Sequence, residues 1–206
     1  MTDSRDSFDA DLGQALPLPV PSIELQARLA TRRSAPAQAL TAPGPSPAEI
    51  ERILTLGARS PDHGKLFPWR FVVLGPQSRA ALAEALRPHA ARQPDPGKAG
   101  KVLSKLAAPP LTILVVSTPV EGHKVPVWEQ QLSAGAVCMN LEHAAGALGY
   151  SASWITDWYS YDPQALELMD IVSGEQVAGF IHIGTLAEAP LERPRPDLAA
   201  KVVYRP

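Results

Sequence analysis

Arg59 to Val73 reads RSPDHGKLFPWRFVV, and it opens on an arginine and places an adjacent Asp62-His63 pair and a tryptophan flanked by two further aromatics inside one short stretch. As a hydrolase component, His63 would need a serine nucleophile within hydrogen-bond reach and a carboxylate to orient it. Adjacent side chains on a turn diverge, and the chain has no GxSxG elbow. As a metal site, His63, His123, His143, His182 or Cys138 would have to converge. None shows a metal spacing such as HExxH, and Glu142-His143 falls on a stretch that reads as a buried helix. A lone histidine there is a hydrogen-bonded core or interface residue before it is a ligand, and no metal is expected.

A nucleotide would have to be held by side chains. There is no GxGxxG after a strand and no GxxxxGKS, so neither a Rossmann site nor a P-loop is available. Arg32-Arg33-Ser34 offers two guanidinium forks and a hydroxyl, a donor set suited to a phosphate. The same arginines at the end of a helix could equally complement its dipole in solvent.

The elements that must position these residues follow from composition and pattern. A chain of 206 residues fits one domain with a sizeable core. A formal net charge of -2 gives no excess of positive charge for a phosphate backbone, so nucleic acid is not an expected partner. One cysteine allows no internal disulfide, no apolar run spans a bilayer, and the start MTDSRDSFDADLG is too polar for a signal peptide. A soluble cytoplasmic protein with no membrane partner is expected. Residues 1–21, acidic and then broken by proline, read as a loose extension, and 22–206 as a single domain.

Ser22 to about Arg33 is predicted helical, capped by Ser22. SPAEIERILTLGARS carries a Ser46-Glu49 capping box, Pro47 at the first helical position, and Ile50, Ile53, Leu54 and Gly57 on one face. Trp69–Leu74 reads as a strand and Leu111–Ser117 as a central strand buried on both faces. Helices are predicted over about 77–92 and 98–106. Trp128–Gly149 is a long helix with small and apolar residues on most sides. SASWIT and VAGFIHIG close the set as strands, around a short helix begun by Asp162-Pro163. The irregular alternation predicts an α+β layered sandwich with a proline-rich tail after Leu186.

The order of these pieces resembles the nitroreductase family of FMN-dependent oxidoreductases, and most closely its small YdjA-like branch of NAD(P)H nitroreductases. The resemblance rests on Arg-Arg-Ser after a first helix, a helix ending in ARSPDH, then PW and a strand. HKVPVWEQ then leads into AGAVCMNLEHAAGALG, and a strand with Trp154 follows. It implies a mixed sheet flanked by helices in an intertwined homodimer, with the C-terminal tail wrapping the partner and two FMN molecules at the interface. It also implies that Arg32, Arg33 and Ser34 hold phosphate and ribityl oxygens, that Arg59 and His63 form a second FMN-binding element, one of them donated across the interface, and that Trp154, Ile155 and Thr156 lie along the flavin edge.

The chain departs from the branch at Ile155, where an arginine is usual, and at Phe67, where a glutamine is usual. The implied activity is ping-pong hydride transfer from NADH or NADPH through FMN N5 to a nitroaromatic, quinone or similar small acceptor, with no dedicated side-chain acid or base. Another flavin reaction on the same fold, or a non-catalytic flavin-binding dimer, stays open as an alternative.

Overall fold

A computed structural model describes residues 10–205. The chain forms two compact units that divide between Arg32 and Arg33. The described part of the first unit holds helix α1 (Ile23–Thr31). As predicted, Ser22 caps it, its hydroxyl accepting the Leu25 N–H at 3.1 Å, and Arg32 is the C-cap residue.

The second unit carries α2 (Pro47–Gly57), β1 (Trp69–Leu74), α3 (Pro76–Ala90), α4 (Pro96–Ala107) and β2 (Leu111–Ser117). It continues with α5 (Val127–Ala147), β3 (Ser151–Ile155), α6 (Pro163–Glu167) and β4 (Gln176–Gly184). The Ser46-Glu49 capping box forms: the Ser46 hydroxyl accepts the Glu49 N–H, and the Glu49 carboxylate accepts the Ser46 N–H at 2.8 Å. These reciprocal bonds satisfy amides that helix geometry leaves without partners.

The four strands form one sheet in the order β1-β2-β4-β3. All seven residues of β2 are buried, because it lies inside the sheet with helices on both faces. Leu114, Val116 and Phe180 pack on one side with residues of α3, α4 and α6. Ile113, Val115, Ile181 and Ile183 pack on the other with α2 and α5.

The α+β layering is as read from the sequence, and within one chain the four described strands pair antiparallel throughout. The connections give the reason. The paired helices α3 and α4 return the chain to the end of the sheet that β1 left, so Leu74 faces Thr112. The single helix α5 carries β2 over to β3 in the same direction, and β4 then inserts between them, antiparallel to both. No helix among the described residues is long and apolar enough to cross a membrane.

Candidate functional site

The stretch between α2 and β1 is fixed to one stripe of α5. The Ser60 hydroxyl donates to the Gly57 carbonyl at 2.9 Å and accepts from Asn140 Nδ2 at 2.8 Å. Ser133 Oγ donates to the Pro61 carbonyl at 2.7 Å and accepts from Trp69 Nε1 at 3.2 Å. His63 Nδ1 lies 2.7 Å from Glu129 Oε2. Residues 129, 133 and 140 fall within about 40° of one another around a helix that turns about 100° per residue.

A cleft of about 460 Å³ opens at this stripe, lined by Pro61, Asp62, His63, Glu129, Leu132 and Ser133 among others. Asp62 and His63 do not form a pair. The Asp62 carboxylate instead accepts the Phe67 N–H at 2.8 Å, and its other oxygen is buried with no hydrogen-bond partner among the described residues. Asp62 therefore orients the turn, while His63 is oriented from α5. Arg59 is exposed at the start of the loop.

Glu129 is the neighbour of His63 that the sequence did not point to. It lies 66 positions from His63, and no local spacing joins the two. The signal was there only as a position inside HKVPVWEQ.

Arg33 and Ser34 lie elsewhere in the second unit. The Ala35 N–H donates to the Ala152 carbonyl at 2.9 Å, which pins this segment beside β3. Arg33 Nε donates to the Leu191 carbonyl at 2.9 Å, and Ser34 is exposed. At the end of β3, Trp154 is tied at both ends. Its backbone N–H donates to Glu142 Oε1 and its indole Nε1 to the Ala178 carbonyl, both at 3.0 Å. Ile155 is half-buried, and Thr156 is exposed with its hydroxyl accepting from the Tyr161 phenol at 3.1 Å.

The structure thus brings Arg33 and Ser34 to β3, while His63 is bonded to α5. β1 and β3 are opposite edges of the sheet, three strand spacings or roughly 14 Å from each other. Around α5, Glu142, which holds Trp154, is about 200° from Asn140, which holds Ser60.

The remaining metal and nucleophile candidates do not assemble. Among the described residues, no group of three or more His, Cys, Asp or Glu side chains could hold a metal. Cys138 is buried, and burial first, with Glu142 second, pushes its thiol up to about 12, so it stays protonated. His182 is fully buried on β4 with Nδ1 2.8 Å from the Thr112 hydroxyl.

The profile of the nitroreductase family matches residues 29–185. YdjA of Escherichia coli (strain K12), provisionally named an NAD(P)H nitroreductase, is 34% identical over 158 residues, covering 76% of this chain and 85% of that protein. A protein of Haemophilus influenzae with the same provisional name is 36% identical over 161 residues, covering 76% of this chain and 85% of its own length. Among solved structures, a nitroreductase-like family protein from Bacillus cereus superposes with a TM-score of 0.78 at 20% identity. That match covers 93% of this chain and 99% of the other. A nitroreductase with bound FMN from Bacteroides fragilis superposes at 0.70 and 18% identity, covering 90% and 100%.

Proposed function

The chain belongs to the nitroreductase family, and on that premise we propose that it is an FMN-dependent NAD(P)H oxidoreductase, working as a homodimer, that reduces a nitroaromatic, quinone or similar small acceptor. The observation that carries this reading is the division of the candidate residues. Arg33 and Ser34 are pinned beside β3 through Ala35 and Ala152, whereas His63, in the loop that carries Arg59, is bonded to Glu129 on α5. One chain supplies two groups that do not meet, and a second copy brings one group of each kind together. Trp128 and Leu132, exposed at 67% and 53% on α5 beside the cleft, supply apolar surface for that contact.

The residues present fit FMN. The Arg32-Arg33-Ser34 run supplies guanidinium and hydroxyl donors to a phosphate. The cleft, with the carboxylates of Asp62 and Glu129 in its lining, is unsuited to a phosphate and suited to a ligand that donates hydrogen bonds. When bound, FMN supplies the hydride acceptor and donor that no side chain provides. The chain's own residues bind and orient. Arg32, Arg33 and Ser34 would hold the phosphate and ribityl end and Arg59 would supply positive charge to the reduced flavin, while His63 is held in one orientation by Glu129. The Trp154–Thr156 strand end forms a fixed wall, since its indole is bonded and packed.

The test is a visible spectrum of purified protein reconstituted with FMN, followed by anaerobic addition of NADH and NADPH. Yellow, FMN-loaded protein that either nicotinamide bleaches is the expected result, and Arg32→Ala should lose flavin while remaining dimeric. Protein that takes up no FMN would refute the reading.

A further inference from the structure

Thr156 and Tyr161 meet across a turn whose residues 157–160 are each anchored. A one-turn 3-10 helix (Trp158–Ser160) follows β3, and Asp157 caps it. The Asp157 carboxylate accepts the Trp158 N–H at 3.0 Å, and the Ser160 hydroxyl accepts the Asp157 N–H at 3.3 Å. The Trp158 indole donates to the Ala99 carbonyl at 3.1 Å, and Tyr159 is fully buried, edge-on to Phe180 with ring centroids 5.1 Å apart. On the far side, Asp162 caps α6 and accepts from Gln93 Nε2 at 2.8 Å.

Tyr161 stands between these anchors with its side chain 68% exposed, so burial does not account for an aromatic residue there. What the fixed turn does is deliver its phenol to Thr156, where it donates to Oγ1 at 3.1 Å. A phenol is a far stronger acid than an aliphatic alcohol, so the phenol takes the donor role and Thr156 keeps its own O–H to donate outward. Thr156 is itself exposed, at the end of the strand beside which Ala35 pins Arg33 and Ser34. The surrounding charge suits an electron-rich group. The Asp157 carboxylate, which would repel one, is paired with Lys105 Nζ at 2.9 Å.

We propose that Tyr161 is a positioning residue for FMN: it orients the Thr156 hydroxyl as a hydrogen-bond donor to the flavin edge. A neutral donor then serves at the strand end where Ile155 brings no charge. The inference rests on the FMN reading above and adds a residue that lies outside the three segments used there.

The test is the Kd for FMN, measured by fluorescence titration of the apoprotein. Tyr161→Phe keeps the ring and removes only the hydroxyl. It should raise Kd about two- to tenfold, the net contribution of one hydrogen bond. The apoprotein melting temperature should not change, because the lost group is exposed. Thr156→Val should weaken binding at least as much, and Thr156→Ser, which keeps the hydroxyl, should bind as the wild type does. Tyr161→Phe combined with Thr156→Val should bind no more weakly than Thr156→Val alone, because the phenol acts only through that hydroxyl. Wild-type affinity in Tyr161→Phe, losses that add in the double variant, or a lowered melting temperature of Tyr161→Phe apoprotein would overturn the inference. Any of these in a protein whose wild type binds FMN sinks this inference alone, whereas wild type that takes up no FMN sinks both.

Discussion

The loop from Arg59 to Trp69 and the β3–β4 strand pair both carry polar side chains that the sequence offered as chemistry, and they hold them in opposite ways. In the loop, His63 stays 66% exposed and is steered by Glu129, while Asp62 spends one oxygen on a backbone amide. In the strand pair, His182 is sealed in the core and Trp154 is bonded at its backbone and its indole. Residue type is shared between the regions, and solvent access separates a group that can serve a ligand from one that serves the fold.

The largest effect that would test this contrast lies at His182. Burial, then the positive charges of Arg79 and Lys105, lowers its pKa from an ordinary 6.5 to about 3. Between those values the unfolded chain binds a proton that the folded chain refuses. The stability contributed by neutral His182 is therefore complete above about pH 6.5 and is lost as pH falls toward 3. At about 1.4 kcal/mol per pH unit, the loss by pH 3 is on the order of 4 kcal/mol. Urea unfolding of the wild type between pH 7 and pH 4 should show this slope, and His182→Gln should flatten it. The same acid slope in both proteins would remove His182 from the sealed class.

The intermediate effect lies at Gly179. A Cβ there would fall inside the van der Waals shell of the Trp154 indole at Nε1 and Cδ1. Gly179→Ala should force the indole off the Ala178 carbonyl, costing about 1–3 kcal/mol in chemical denaturation. A substitution that leaves stability intact would show that Trp154 is a movable wall and belongs with the loop residues.

These two residues also show what could be read in advance. The strand Leu111–Ser117, the Ser46-Glu49 box and the bounds of the long helix are encoded by neighbours within a few positions, and the structure agrees with them. The all-antiparallel pairing was not legible, because β4 enters the sheet between strands already in place, a contact far along the chain. Trp154 carried no mark of its packing against Gly179, 25 positions on, and while Asp62 and His63 were expected to diverge on a turn, the partners each one finds were not legible. The candidate residues were legible as chemical types and, through the family resemblance, as separate elements, but the bond from Glu129 that orients His63 was not.

The smallest effect is the most discriminating for the loop. An exposed ion pair contributes at most about 1 kcal/mol, so the His63-Glu129 contact is expected to matter through orientation more than through stability. Glu129→Ala should therefore leave the unfolding midpoint within error of the wild type while weakening FMN binding up to about fivefold, measured by fluorescence titration of the apoprotein. Glu129→Gln keeps an oxygen that can accept from His63 Nδ1–H and should recover most of that affinity, with less sensitivity to salt than the wild type. If Glu129→Gln binds as weakly as Glu129→Ala, charge and not orientation is what the carboxylate supplies. The loop would then differ from the β3–β4 pair in electrostatics as well as in exposure.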